Sequence, residues 1–181
     1  MSAAQRAKTI LLCTIFFFAF DRIAFAQSSD DGLTIMGDGP DYVGIGAGSF
    51  NIQGHSDQSP TGEMNVEVRG GKKLWDIGPA VGILGNFDGG LYGYVGGYAD
   101  IGLGPIVVTP LAAVGAYSSG GGQYLGGVFQ FRLAIDAAYQ FDGGSRLGVE
   151  FAHLSNATID DRNPGENELL LTYAMPVDLG L

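Results

Sequence analysis

Cysteine is nearly absent. The one residue of its kind, Cys13, lies at the very start, so neither disulfide staples nor thiolate chemistry is open to the rest of the chain. Charge is scarce as well, at 15% of the 181 residues, and it is unbalanced: 19 acidic against 9 basic side chains give a formal net charge of -10. A polyanion is held by clustered Lys and Arg, and these few, scattered basic residues exclude nucleic acid as a partner. Histidine is limited to His55 and His153, with no H-E-x-x-H, so no metal site is expected. No apolar run reaches the ~20 residues that a membrane-spanning helix needs. Gly44-Ile-Gly-Ala-Gly48 imitates a dinucleotide fingerprint, but no helical pattern follows it, and no cofactor is expected. The G-x-S-x-G elbow of α/β-hydrolases is also missing.

Glycine and apolar residues are plentiful: 31 glycines and 46% hydrophobic residues, with eight tyrosines and eleven phenylalanines in patterned segments, which excludes a disordered chain. Arg6 and Lys8 precede the apolar run Ile10 to Phe20, and Ala24-Phe25-Ala26 follows as a small-x-small cleavage pattern. Residues 1–26 read as a secretory signal peptide and residues 27–181 as the mature domain. Leu12 stands where a small residue precedes a lipidated cysteine, which argues against Cys13 as a lipid anchor.

Beyond Gln27 the apolar period is two. From Phe129 to Phe141 the odd positions are Phe, Phe, Leu, Ile, Ala, Tyr and Phe, while the even ones include Gln130, Arg132, Asp136 and Gln140. That run is long for a soluble sandwich, whose strands average about 5 to 6 residues, and suits a tilted transmembrane strand with its apolar side outward. The same cut predicts eight strands, at Tyr42–Ile52, Met64–Arg69, Trp75–Leu84, Leu91–Ile101, Ile106–Tyr117, Val128–Phe141, Arg146–Ser155 and Glu168–Val177. An even antiparallel set closes on itself and leaves no unpaired edge in lipid. The expected fold is therefore all-β, an eight-stranded antiparallel transmembrane barrel in the outer membrane of a Gram-negative bacterium. Gly70-Gly71-Lys72-Lys73, Gly102-Leu103-Gly104-Pro105 and Asp142-Gly143-Gly144 read as short periplasmic turns. Gln53–Gly62, Ser118–Gly127 and Asn156–Asn167 read as longer outer loops, with Gly85–Gly90 a short one.

Strand Arg146–Ser155 carries the candidate site. Leu147, Val149 and Phe151 have lipid-facing parity, and continuing the alternation puts His153 and Ser155 on that same face, ~6.6 Å apart at the backbone. They fall at the external end, level with the lipopolysaccharide leaflet. A hydroxyl beside a general base, directed at acyl chains, is an arrangement suited to ester hydrolysis. Arg146, Gly148, Glu150 and Ala152 face the lumen, where Glu150 and Arg132 are expected to pair. Asp160, Asp161 and Arg162 read as a solvated loop at headgroup level, His55 as an exposed loop residue, and Trp75, Tyr92, Tyr94, Tyr98 and Tyr117 as interfacial aromatics.

The segment Phe151-Ala-His-Leu-Ser-Asn-Ala157, followed by Asp161-Arg-Asn-Pro-Gly-Glu-Asn167 and an apolar last strand, resembles the lipid A 3-O-deacylase family of PagL-like outer-membrane barrels. The resemblance implies an esterase that removes the 3-hydroxyacyl chain from the 3-position of lipid A. It makes lipopolysaccharide the substrate, His153 the base, Ser155 the nucleophile, and Asn156 and Asn163 contributors to site geometry or oxyanion stabilisation. The family's glutamate position falls on Asn167, flanked by Glu166 and Glu168. Asn167 shares the lipid-facing parity of Leu169 and Leu171 and is preferred as the third member; Glu166, just after Pro164-Gly165, is free of strand parity, and Glu168 needs a bulge to leave the lumen. The rival reading is a non-catalytic structural or adhesion barrel, and the sequence is compatible with a homodimer as with a single barrel.

Overall fold

The computed structural model describes residues 32–52 and 59–181. The expected signal peptide at 1–26, Cys13 and His55 lie outside the described residues.

Strands form where the period-two pattern runs, and each stops at glycine, proline or polar turn residues. Ten segments result: β1 (Leu33–Met36), β2 (Asp41–Phe50), β3 (Thr61–Arg69), β4 (Gly78–Asn86), β5 (Leu91–Tyr98), β6 (Asp100–Leu103), β7 (Ile106–Ser118), β8 (Phe129–Gln140), β9 (Arg146–Ser155) and β10 (Glu166–Val177). Every pairing from β2 onward is antiparallel, β10 pairs with β2, and β7 pairs with both β5 and β8, so the sheet closes. β5 and β6 are one barrel strand interrupted at Ala99, because both lie along β7: Tyr98 opposite Leu111, Ile101 opposite Val108. The barrel therefore has eight strands. β1, which the period-two reading passes over, adds to β6.

Trp75 does not begin a strand as expected. Leu74 and Ile77 instead exchange backbone hydrogen bonds of 2.9 and 3.1 Å around Trp75 and Asp76, whose φ values are 54° and 65°. β4 starts only at Gly78.

The alternation sorts the two faces. Ile45, Val66, Val81, Ile135, Val149, Phe151 and Leu171 are exposed on the outer wall, which is the lipid-facing belt of an outer-membrane barrel. The lumen is filled. Arg132, wholly buried, donates to Glu150 at 2.7 Å and to Glu168 at 2.7 Å, and its guanidinium lies 5.3 Å from the Tyr94 ring centre. Nearer the periplasm, Arg146 and Lys73 meet Asp100 at 3.0 and 3.1 Å, and Thr109 donates to it at 2.7 Å. A cavity around Glu67, Arg69 and Asp136 offers only about 20 Å³, room for roughly one water. Among the described residues the interior is filled by buried charged, polar and aromatic side chains.

Candidate active site

In β9 the burial alternates strictly: Arg146, Gly148, Glu150, Ala152 and Leu154 are buried, Leu147, Val149 and Phe151 are exposed, and His153 and Ser155 are half-buried on the outer side. Both polar residues thus stand on the lipid-facing wall. Ser155 lies opposite Phe131 of β8; His153 lies between Leu133 of β8 and Asn167 of β10. One step toward the periplasm the row is Ile135, Phe151 and Leu169, entirely apolar. The site sits where the greasy belt gives way to polar side chains.

Direct register is what brings Asn167 to the histidine. Its Oδ1 lies 2.8 Å from His153 Nδ1. A carboxamide oxygen only accepts, so Nδ1 carries the proton and Nε2 is left with its lone pair. Two bonds hold the start of β10: Ile52 N–H donates to the Asn167 carbonyl at 3.0 Å, and Asn51 N–H donates to Glu166 Oε2 at 3.0 Å.

Glu166 and Glu168 do not share this face. β10 begins at Glu166, earlier than its apolar pattern indicates, so Glu166 is bound by strand parity and is buried toward the lumen. No bulge turns Glu168 outward: the register with β9 runs unbroken from Glu166 to Ala174, and Glu168 is committed to Arg132. The polar triplet on the outer wall is His153, Ser155 and Asn167.

Asn156 and Asn163 are the stays of the adjoining loop. Asn156 is fully buried; its Nδ2 donates to the carbonyls of Leu125 and Arg162 at 3.2 and 2.7 Å, and its Oδ1 accepts from Thr158 N–H at 2.9 Å. Its own N–H donates to Asn163 Oδ1 at 3.0 Å. The Asn156 amide protons are spent on the loop, whereas Asn163 Nδ2 has no partner among the described residues.

Gly165 closes the site from the loop side. Its φ is +63°, and a Cβ placed there would stand 3.0 Å from His153 Cε1 and 3.4 Å from Nε2. The Gly165 carbonyl accepts from Gln123 Nε2 at 3.2 Å, and the Gln123 carbonyl accepts from Tyr117 Oη at 2.8 Å, so the β7–β8 loop props the glycine against the ring. Spacing in the sequence gives no hint of Gln123. Gly165→Ala is expected to cost about 1–2 kcal/mol in the left-handed conformation and to push the imidazole off Asn167. A folded barrel with a displaced His153 ring resonance in NMR spectra is the expected result.

The fold and its outward polar triplet define the class of the protein: an integral outer-membrane β-barrel that carries a polar site on its lipid-facing wall. Residues 41–176 match the family described as lipid A 3-O-deacylase (PagL), and the chain belongs to that family. The fold is similar to the crystal structure of the outer membrane enzyme PagL, with a TM-score of 0.58 and 21% identity over 75% of this chain and 99% of that one. It is equally similar, at a TM-score of 0.58 and 14% identity, to a de novo designed transmembrane β-barrel, over 80% of this chain and 100% of the design. No curated protein matches the sequence.

Proposed function

We propose that this barrel is an outer-membrane esterase that removes the ester-linked 3-hydroxyacyl chain from the 3-position of lipid A, with Ser155 as nucleophile, His153 as base and Asn167 as the group that orients the base. The observation that carries the reading is the 2.8 Å contact between Asn167 Oδ1 and His153 Nδ1 on the lipid-facing wall, two residues from a serine on the same face. In a lipid-facing position a buried carboxylate is costly to desolvate, and a neutral amide fixes the same tautomer without that cost.

The chemistry follows from the proton positions. Ser155 Oγ attacks the ester carbon as its proton passes to His153 Nε2. The tetrahedral intermediate then collapses, the C–O bond to the sugar breaks, and the sugar oxygen takes the proton from Nε2. Water, deprotonated by the same nitrogen, hydrolyses the acyl-serine and frees the 3-hydroxy fatty acid. Asn163, oriented through its Oδ1 by Asn156, has an Nδ2 donor to offer the oxyanion, while Asn156 supplies the loop geometry.

The test is mass spectrometry of lipid A from outer membranes holding the wild-type protein or Ser155→Ala, with folding checked by heat-modifiable gel mobility. Loss of one 3-hydroxyacyl chain with the wild type alone is expected. Unchanged lipid A with a folded wild-type barrel would favour the structural or adhesion barrel instead. Asn167→Ala removes the Oδ1 contact to His153 and is expected to lower kcat about tenfold, whereas Asn167→Asp, of the same shape, keeps an acceptor oxygen on Nδ1 and is expected to retain most of the wild-type kcat, the stronger charged contact being offset by the desolvation of a carboxylate on this wall.

A further inference from the structure

Six basic residues outside the leader region are distributed very unevenly. Arg69, Arg132 and Arg146 are buried in the lumen, each paired with a carboxylate, and Lys72 and Lys73 lie in the periplasmic turn between β3 and β4. Arg162 is the one exposed cation at the outer end among the described residues. It follows Asp160 and Asp161, yet its guanidinium pairs with neither: Asp160 turns its carboxylate onto Gly127, where an added Cβ would meet it, and no ion pair to Arg162 forms among the described residues. The backbone of Arg162 is nonetheless fixed. Its carbonyl accepts from Asn156 Nδ2 at 2.7 Å, and Asn163, the next residue, accepts from Asn156 N–H, so Arg162 is tied twice to the residue that follows Ser155.

The tether fixes where the Arg162 side chain starts, on the loop that follows Ser155, and leaves its guanidinium without an ion-pair partner among the described residues. Taking the deacylase reading as the starting point, we infer that Arg162 recognises a phosphate carried on the same glucosamine as the scissile ester, and so determines which phosphorylation state of lipid A is hydrolysed. Three arguments converge. The loop stands above the apolar row of Ile135, Phe151 and Leu169, at headgroup height when the acyl chain lies against that row. The exposed or half-exposed charges described beside it, Asp88, Asp160 and Asp161, are of the phosphate's own sign, so among the described residues Arg162 is the outer-end side chain that can take an anion. Guanidinium binds phosphate in a two-pronged, charge-assisted fashion that an ammonium does not reproduce.

The experiment compares 1-phosphorylated and 1-dephosphorylated lipid A as substrates for wild type, Arg162→Ala and Arg162→Lys in detergent micelles. Wild type is expected to prefer the phosphorylated lipid by about tenfold in kcat/KM, the difference lying in KM; Arg162→Ala levels the two substrates by losing the phosphorylated one, and Arg162→Lys restores part of the preference. Binding of the same two lipids to folded Ser155→Ala barrel, with and without Arg162→Ala, reads the contact independently of turnover. A preference that survives in Arg162→Ala, in rate or in binding, overturns the inference. An Arg162-dependent binding preference without hydrolysis of either lipid by wild type sustains the phosphate site and defeats the deacylase reading.

Discussion

Ser155→Ala and His153→Ala are each expected to lower kcat by roughly 10⁵ to 10⁶, and the double variant is expected to lose no more than either one. A hydroxyl is a poor nucleophile without a base, and without the serine no acyl-enzyme forms for the base to help hydrolyse, so each residue is worth little once its partner is gone. Initial rates on purified lipid A for the four combinations make the measurement. Losses that multiply would mean that the two side chains act separately, and the shared proton transfer from Ser155 to His153 would have to be abandoned. Asn167→Ala sits outside this pattern, with its smaller loss, because it orients the ring and exchanges no proton.

Arg132→Met is expected to destabilise the barrel by about 3–5 kcal/mol, enough to lower its denaturation midpoint in urea clearly and to abolish the compact band on unheated gels. Arg132 has no solvent exposure, and it alone bridges Glu150 of β9 and Glu168 of β10. Deleting the cation leaves Glu168 without a cationic partner and Glu150 with only Arg69, 3.8 Å away, in a filled lumen. If that is the cause, the triple change Arg132→Met, Glu150→Gln and Glu168→Gln recovers most of the stability, since the uncompensated charges leave together with their partner. A single variant as stable as wild type would show that water reaches these groups and that the lumen is looser than its packing indicates.

Period-two alternation made most of the barrel legible in the sequence, and with it the outward placement of His153 and Ser155, because strand parity depends on nothing beyond the strand itself. The same argument gave Asn167 its face. What parity does not give is register. That Asn167 stands directly across from His153 depends on how β10 slides along β9, and that is fixed by bonds made at the far edge, from Asn51 and Ile52. Glu166 differs for a related reason: Pro164-Gly165 reads as loop, yet the strand resumes at once, with Glu166 opposite Leu154 of β9 and its carboxylate accepting from Asn51 N–H. Trp75 is a strand former by type, and the turn it shares with Asp76 is recognisable only from the backbone, which adopts positive φ at both residues although a bulky indole seldom does so. Gln123 was invisible because its role is to hold a glycine in a distant loop.

A filled lumen beside an outward-facing site has a kinetic consequence. On the deacylase proposal, the substrate of His153 and Ser155 arrives sideways through the leaflet and its products leave the same way, so encounters happen in a plane. The governing concentration is a mole fraction of lipid, and adding inert detergent or phospholipid slows the reaction at constant bulk volume, while diluting the whole suspension with buffer leaves the rate per barrel unchanged.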